Sequence, residues 1–242
     1  MRDFYKLPRL YVTDQLAHGA DITLPDQQSH YLARVMRRNI GDQVRLFGGR
    51  NGEYIASIIH ISKREMRLQV GEQIRPHIPP PDIWLLFAPI KPKRNVFIVE
   101  KATELGVSLL QPVITARTTS KINMDKMHAH IIEAAEQTER LDLPHVREAL
   151  KLERILENWD ANRALVFADE AGEAKPAAAA LAKIKAPAAI LIGPEGGFTA
   201  DERDILRAKP YVTPISLGPR ILRADTAALA GLALWQALSG DW

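Results

Sequence analysis

The sequence predicts an α/β protein in which a small β-barrel precedes a larger, largely parallel sheet with helices on both faces. Three observations support this prediction. Short apolar runs separated by Gly, Asp and Asn fill residues 1–75, a proline-rich stretch follows, and strand-like and helix-like patterns then alternate along the remainder of the chain. Strands that alternate with helices are typical of a parallel sheet that is covered on both faces.

The first domain is predicted over residues 1–75. Its candidate strands are residues 10–12, 21–24, 44–47, 54–61 and 66–70, which are bounded by turn-forming residues. One helix is predicted to interrupt them at residues 27–38, because its apolar residues share one helical face and its arginines fall largely elsewhere. We therefore expect a mainly β domain with a single helical insertion.

Residues 76–82 are too rich in proline for a helix or a central strand, so we expect a stiff extended linker there. The second domain is predicted over residues 83–242. Its strands are expected at residues 84–90, 109–114, 164–168, 188–192 and 212–217, and its helices at residues 95–105, 126–141, 175–185, 199–207 and 226–238. Thr199 and Glu202 have the spacing of a capping box, which predicts where the fourth of these helices begins.

Composition excludes several classes of protein. Hydrophobic residues make up 46% of the chain and charged residues 25%, which are ordinary values for a soluble globular protein. The longest apolar stretches, residues 84–90 and 186–192, are far shorter than the ~20 residues that a membrane-spanning helix needs. No apolar signal core is visible near residue 1. We therefore expect a soluble, cytoplasmic protein.

Cysteine is absent from the chain, which excludes disulfides, thiolate metal ligands, iron–sulfur clusters and cysteine nucleophiles. The charge is small but unevenly distributed. Residues 1–75 carry 12 Lys and Arg against 8 Asp and Glu, whereas the net charge of the whole chain is only +3. Such an excess fits an anionic partner such as nucleic acid, and it is also common on solvated surfaces.

Two glycine-bearing segments in the second domain are candidates for a ligand site. In the first, Ala189-Ile-Leu-Ile-Gly-Pro-Glu-Gly-Gly-Phe-Thr199, an apolar strand runs into a turn and then into the capped helix. Glycines allow a backbone to approach a ligand closely, although the spacing alone slightly favours a tight strand-to-helix turn. The segment matches no phosphate-binding motif, and Glu195 would repel a phosphate. A cationic or neutral ligand fits better, and S-adenosylmethionine is one.

The second segment, Ile215-Ser-Leu-Gly-Pro-Arg-Ile-Leu-Arg-Ala-Asp-Thr-Ala-Ala228, also follows a predicted strand. Asp225 or Thr226 is expected to cap the last helix. Arg220 and Arg223 would bring bidentate hydrogen-bond donors to the edge of the sheet, where α/β proteins bind their ligands.

Together the two segments resemble the paired signatures of the RsmE family, which methylates N3 of a uridine in 16S ribosomal RNA of the small subunit and belongs to the SPOUT superfamily. The matching residues run from Gly193 to Thr199 and from Leu217 to Ala227. Residues 101–106, residues 133–137 with Arg140, and residues 30–35 with Gly41 and Asp42 are similar to family segments in the same order. The resemblance covers essentially the whole chain.

The resemblance implies a PUA-like barrel at the N-terminus, a SPOUT domain with a deep trefoil knot at the C-terminus, and a homodimer. It also implies S-adenosylmethionine as the cofactor, S-adenosylhomocysteine as the product, and no metal. By position, the cofactor-binding residues would be Phe167, Ala168, Ile192, Gly193, Glu195, Gly196, Gly197, Leu217, Gly218, Ile221 and Leu222.

Catalysis is expected to involve Arg9, Arg223 and Asp225. An arginine would stabilise the uracil imidate as the N3 proton leaves, which assigns Arg223 or Arg9 to that role. Arg9 lies several residues later than the arginine with which the family usually begins. Asp225 replaces the usual glutamate of the last motif, and we treat it as a base, an orienting group or a helix cap.

Ribosomal RNA or the small subunit is the expected partner. The candidate RNA-binding residues are Arg9, Arg34, Arg37, Arg38, Lys91, Lys93 and Arg94. His128 and His130 are two positions apart on a helix, so they point to different faces and do not form a metal pair. Two alternatives remain open, namely a related methyltransferase that modifies the ribose 2′-oxygen and a ribosome-assembly protein that binds RNA without catalysis.

Overall fold

The computed structural model describes residues 2–49, 51–63, 65–169 and 174–242. The chain forms two compact units. The first contains Met1–Pro79 together with Ala135–Leu143, and the second contains Pro80–Ala134 together with Pro144–Trp242. The sequence-based division places residues 135–143 in the second domain, whereas the structure places this short segment in the first unit.

The first unit is built on a mixed five-stranded sheet. Its strands are β1 Arg9–Tyr11, β2 Asp21–Leu24, β3 Gln43–Phe47, β4 Glu53–Ile61 and β5 Met66–Arg75, in the order β1-β3-β4-β5-β2. β1 pairs in parallel with β3, and the other pairs are antiparallel. All five predicted strands are present because their alternating apolar residues, such as Ile22, Leu24 and Leu68, face one buried core.

The predicted helix at residues 27–38 divides into two short pieces. A 3-10 helix at Arg2–Lys6 precedes the sheet, and after β2 the chain forms α1 at Asp26–His30, followed by one π-helical turn at Tyr31–Val35. Leu32 is fully buried and anchors this segment to the core. Arg37 has a φ of 52°, a left-handed conformation that a continuing helix cannot contain. The helix therefore ends before its predicted limit.

Five charged residues of the first unit form what we call the arginine–glutamate cluster: Arg9, Arg45, Glu53, Arg75 and Glu139. The Glu53 carboxylate is fully buried and lies 2.6 Å from Nε of Arg9 and 2.7 Å from Nε of Arg75. Glu139 accepts two hydrogen bonds from Arg45, at 2.6 and 2.8 Å. The cluster thus joins four strands, β1, β3, β4 and β5, to the segment that contains Glu139.

Segment 135–143 belongs to the first unit because the cluster holds it there. The Arg9 guanidinium donates hydrogen bonds to the backbone carbonyls of Ala135 and Arg140. Burial lowers the pKa of Arg9, although Glu53 opposes this effect. Burial also raises the pKa of Glu139, but the Arg45 hydrogen bonds and the surrounding arginine charges outweigh it and hold that pKa below its usual value.

The second unit is built on an eight-stranded sheet in which every pair is parallel. Its strands are β6 Ile83–Phe87, β7 Leu109–Ile114, β8 His145–Val146, β9 Leu150–Lys151, β10 Ala164–Ala168, β11 Lys175–Pro176, β12 Ala188–Ile192 and β13 Val212–Ser216. The main path is β11-β13-β10-β12-β6-β7-β8, and β9 pairs with β7. The predicted parallel sheet is confirmed, and the sequence pattern missed only short strands.

Helices cover both faces of this sheet. They are α2 Pro92–Glu104, α3 Met124–Gln137, α4 Leu152–Glu157, α5 Ala177–Leu181, α6 Ala200–Arg207 and α7 Ala224–Ser239. Ala189 and Leu191 pack in one core with residues of α4 and α6, whereas Ile190 between them lies against Gly231 of α7. This alternation follows from the two-residue period of a strand. The predicted arrangement with helices on both faces is therefore confirmed.

Several boundaries differ from the predicted ones. α3 ends at Gln137 instead of residue 141, and Glu139 just beyond it has a φ of 62°. α5 is shorter than predicted because residues 175–176 pair with β13. The sequence pattern missed α4, whose Leu152, Ile155 and Leu156 nevertheless form an apolar stripe in the core.

Trp235 is fully buried in the second unit and donates a hydrogen bond to the Ile184 carbonyl at 3.1 Å. Trp84 and Trp159 are partly buried against the core of the second unit.

Across the described ranges, the structure contains no helix with the length and apolar character needed to cross a bilayer.

Replacing Glu53 by Gln should lower the free energy of unfolding by about 3–5 kcal/mol, because the arginines of the cluster would then face a neutral amide. Urea unfolding followed by circular dichroism measures this loss. Glu65→Gln is the matched control, since the Glu65–Arg67 pair is exposed at 3.3 Å and should contribute less than about 1 kcal/mol. Equal losses in the two variants would contradict a stabilising role for the cluster.

Candidate cofactor and active site

The carboxyl ends of three neighbouring strands define the candidate site. β10 lies between β12 and β13, and the register aligns Phe167 with Leu191 and Ala168 with Ile215. Because the three strands are parallel, the residues that follow them emerge at one edge of the sheet. This is the edge where open α/β sheets bind their ligands.

A cleft with two adjoining lobes lies at this edge. The first lobe, of about 150 Å³, is lined by Ala168, Asp169, Ile192, Gly193, Pro194, Glu195, Gly197, Phe198, Arg203, Ile221, Leu222, Arg223, Ala224 and Ala227. The second, of about 110 Å³, is lined by Ala168, Asp169, Ile215, Ser216, Leu217, Gly218, Pro219, Arg220, Ile221, Leu222 and Ala227. The two glycine-bearing segments thus line one continuous cleft.

Most of the predicted cofactor-binding residues line this cleft. Those in the first lobe are Ala168, Ile192, Gly193, Glu195, Gly197, Ile221 and Leu222, and those in the second include Leu217 and Gly218. Phe167 and Gly196 do not line either lobe. Phe167 is fully buried and packs edge-to-face on Phe198 at 5.8 Å between ring centroids, so it supports the lobe from beneath. The Gly196 carbonyl instead accepts a hydrogen bond from Arg117 at 2.5 Å.

Local chemistry shapes the first turn. Gly197 has a φ of 66°, which few side chains tolerate. The predicted capping box of α6 is confirmed: the Thr199 hydroxyl accepts from the Glu202 backbone N–H at 3.2 Å, and Glu202 accepts from the Thr199 N–H at 2.8 Å. The second carboxylate oxygen of Glu202 accepts from the Ala116 N–H at 2.7 Å, which ties the turn to the loop after β7.

The second turn leads into α7 differently from the sequence-based expectation. The predicted capping of this helix by Asp225 or Thr226 is wrong, because the helix begins at Ala224 and Arg223 occupies the N-cap position without a side-chain hydrogen bond. Asp225 instead lies within the first helical turn, where its negative charge complements the helix dipole. It also lies 3.8 Å from Nη1 of Arg94 on α2.

The other predicted functional residues differ in their accessibility. Arg223 is exposed and lines the first lobe, as a residue that contacts substrate requires. Arg9 is only 7% exposed, and its guanidinium is occupied by Glu53 and by backbone carbonyls. This burial is at odds with catalysis and RNA binding, the two roles predicted for Arg9. We therefore reassign Arg9 to the structural arginine–glutamate cluster.

The candidate RNA-binding residues of the first unit lie in or near a polar pocket of about 310 Å³. Arg34 and Arg38 line this pocket together with His30 and Lys63, and Arg37 is exposed. In the second unit, Lys91 and Lys93 at the beginning of α2 are exposed and Arg94 is half-buried. The positions of these residues are compatible with contact to an anion, and their roles stay predictions.

Sequence reasoning missed Asp169, which lines both lobes of the cleft. Its side chain is fully buried and forms an ion pair with Arg207 of α6. The signal was available, because Asp169 directly follows the predicted strand at residues 164–168 and therefore lies at the binding edge of the sheet. Arg203 also lines the first lobe and donates a hydrogen bond to the Phe198 carbonyl at 3.1 Å.

The chain is thus an α/β protein of two compact units, with a candidate small-molecule site lined by two glycine-bearing turns. A family model described as an RNA methyltransferase domain matches residues 78–236, and one described as an RNA methyltransferase PUA domain matches residues 24–71. The ribosomal RNA small subunit methyltransferase E of Rickettsia conorii is 32% identical over 232 residues, covering 94% of each chain. The protein of that name from Synechocystis is 34% identical and covers 95% of this chain and 77% of its own.

Solved structures of similar proteins indicate the same family as these relatives. The ribosomal RNA small subunit methyltransferase E of Neisseria gonorrhoeae, bound to S-adenosyl methionine, has a TM-score of 0.87 at 27% identity, covering 98% of this chain and 99% of its own. A methyltransferase of Legionella pneumophila in complex with the same cofactor has a TM-score of 0.86 at 29% identity and covers 98% and 100%. The chain belongs to the ribosomal RNA small subunit methyltransferase E family, which confirms the resemblance to RsmE.

Proposed function

We propose that this protein transfers a methyl group from S-adenosylmethionine to N3 of a uridine in 16S ribosomal RNA. The observation that carries the proposal is that the two segments by which the chain resembles its family line one cleft at the edge of the parallel sheet. Because the proposed substrate is ribosomal RNA, we expect the protein to act in the cytoplasm.

The cleft suits a ligand that combines apolar and cationic parts. Ile192 and Leu222 supply apolar surface, and the side chain of Ile221 is 84% exposed, so a bound ligand could cover it. Glu195 brings an exposed carboxylate to the same lobe, which Arg203 and Arg223 also line. S-adenosylmethionine carries a sulfonium and an ammonium group. The solved structures of the similar Legionella pneumophila and Neisseria gonorrhoeae proteins contain this cofactor. The lining residues therefore fit this cofactor.

The mechanism requires an unpaired uridine, because N3 carries an imide proton in the middle of the Watson–Crick edge. S-adenosylmethionine supplies the electrophilic methyl group. Arg223, exposed beside the cleft, would stabilise the negative charge that spreads over the uracil carbonyls as the N3 proton leaves. Asp225 is a positioning residue, since its carboxylate lies 3.8 Å from Arg94 and within the first turn of α7.

RNA would bind to the polar pocket of the first unit that Arg34, Arg38 and Lys63 line. Residues 24–71 of this unit match the RNA methyltransferase PUA model. Nε of Arg38 is shielded from solvent and has no hydrogen-bond partner among the described residues. Such a nitrogen, with Arg34 and Lys63 lining the same pocket, favours a phosphate oxygen as the ligand. Lys91 and Lys93 are further candidate contacts in the second unit.

Membership of the family supports two further features of the proposal, a trefoil knot in the C-terminal part of the chain and a homodimer. Light scattering coupled to size-exclusion chromatography measures the second directly. A mass of twice 27.0 kDa is expected at micromolar concentration. A monomer would remove the homodimer from the proposal and leave the chemistry unaffected.

The decisive experiment incubates purified protein with labelled S-adenosylmethionine and small ribosomal subunits that lack the modification, and then maps the modified nucleotide. Nucleoside mass spectrometry should identify 3-methyluridine. A methyl group on a ribose 2′-oxygen would instead show the related specificity. If calorimetry detected no uptake of S-adenosylmethionine, the protein would be an RNA-binding module without catalysis.

Gly218→Ala should weaken the binding of S-adenosylmethionine at least tenfold, because Gly218 lines the cleft at a φ of 108° that alanine tolerates poorly. Gly41→Ala is the matched control, since Gly41 has a φ of 91° and is equally free of neighbours within 4 Å. Both variants should lose about 1–2 kcal/mol of stability. Calorimetry measures the affinities, and equal affinities would place the cofactor elsewhere.

Arg223→Ala should lower kcat/KM by about 100- to 1000-fold while the affinity for S-adenosylmethionine stays within about threefold of the original, because the arginine acts on the developing charge of uracil. Single-turnover methylation and calorimetry give the two numbers. Arg154→Ala is the control, since Arg154 is exposed and paired with Glu157 at 3.1 Å. Near-normal turnover of the Arg223 variant would remove this residue from the mechanism.

RNA binding should weaken steeply with salt, and the double variant Arg34→Ala, Arg38→Ala should reduce the slope of log K against log[salt] by about 1.4, which corresponds to two phosphate contacts on a single strand. Fluorescence anisotropy with a labelled RNA hairpin measures the slope. Arg67→Ala, which removes an exposed arginine of the same unit, should leave it unchanged. An unchanged slope in the double variant would show that RNA binds outside the pocket.

A further inference from the structure

Three potential metal ligands from two helices of the second unit meet away from the cleft. Glu100 lies on α2, and His130 and Glu133 lie on α3. Nδ1 of His130 is 3.0 Å from Oε1 of Glu100 and 3.8 Å from Oε2 of Glu133. All three potential ligand atoms lie within 4.8 Å of one another. The spacing of three between His130 and Glu133 places both on one face of α3.

The ring nitrogen at the centre of this group makes no aligned hydrogen bond within the described part of the chain. Nδ1 of His130 is shielded from solvent, and it makes no hydrogen bond to any residue that the structure describes. The nearby carboxylate oxygen of Glu100 is close enough, but the two groups are not aligned as donor and acceptor. A shielded ring nitrogen that faces two carboxylates without an aligned hydrogen bond is a geometry that a cation bound between them would satisfy.

His128, on the same helix, provides a contrast. Its Nδ1 lies 3.0 Å from the Met124 carbonyl oxygen, one turn earlier in α3. That ring nitrogen is therefore satisfied by the backbone of its own helix. The difference between the two histidines lies in the side chains that surround them.

The distances fit a small transition-metal ion. Zinc binds histidine nitrogen at about 2.0–2.1 Å and carboxylate oxygen at about 2.0–2.2 Å, so tetrahedral ligands lie about 3.3 Å apart. The separations of 3.0 and 3.8 Å from Nδ1 of His130 lie on either side of this value, and all three ligand atoms lie within 4.8 Å of one another. Two carboxylates neutralise a divalent charge, and an imidazole ligand favours zinc over magnesium or calcium.

We propose that Glu100, His130 and Glu133 form a binding site for a divalent transition-metal ion, with zinc as the ion of best fit. The ion would connect α2 to α3, and its fourth coordination position would face solvent, because Glu133 is exposed. None of the three residues lines the candidate cofactor cleft. The ion is therefore structural and takes no part in methyl transfer.

Titration of tag-free, EDTA-treated protein with zinc chloride in a calorimeter tests this proposal. One equivalent should bind with a micromolar dissociation constant. His130→Ala and Glu100→Gln should each weaken the binding at least tenfold, and Glu133→Gln less, because its side chain is the most exposed of the three at 69%. His128→Ala is the matched control and should bind zinc as the original protein does.

Cobalt provides a second measurement, since Co²⁺ in a tetrahedral site absorbs strongly in the visible range and this band should disappear in His130→Ala. Circular dichroism verifies that the variants are folded. The proposal is overturned if the original protein takes up no zinc, or if His130→Ala binds zinc as well as His128→Ala. Methylation is also measured with and without zinc, so that failure of the metal site can be distinguished from failure of the proposed function.

Discussion

The parallel alignment of β12, β10 and β13 is the constraint on which the candidate site depends. Because these strands run in the same direction with their ends in register, the residues after each one emerge at a single edge. The Gly193 and Gly218 turns, which are separated in sequence by a helix and a strand, consequently border the same cleft. An antiparallel strand at any of these positions would direct its turn to the opposite edge.

Hydrogen bonds and an ion pair fix the residues around the cleft. Glu202 caps α6 and also accepts a hydrogen bond from the loop after β7, while the buried carboxylate of Asp169 pairs with Arg207 of the same helix. Buried carboxylates are stable only when charged or hydrogen-bonding partners surround them. The residues beneath the glycine turns are therefore restrained, which leaves the exposed residues Ile221 and Arg223 available to a ligand.

The arginine–glutamate cluster plays a comparable part in the first unit. Arg9 occurs early in the chain with the residue type expected for RNA contact or catalysis, and the sequence offered no sign of its partner. Glu53 and the carbonyls of segment 135–143 come from distant positions, and together they enclose the guanidinium. A single arginine has the same chemistry whether it is buried or exposed, so only its tertiary surroundings could distinguish a structural role from a functional one.

By itself, the sequence determined the α/β class, nearly all the long strands, the capping box of α6 and the two glycine-bearing segments that line the cleft. These features depend on local periodicity, on capping chemistry and on motifs that are continuous in the chain. Tertiary structure alone decided the burial of Arg9 and the position of Asp225 beside Arg94. It also decided that segment 135–143 belongs to the first unit and that His130 lies close to Glu100. Each of these depends on residues that are distant in sequence, and no local pattern records which distant side chain a residue will contact.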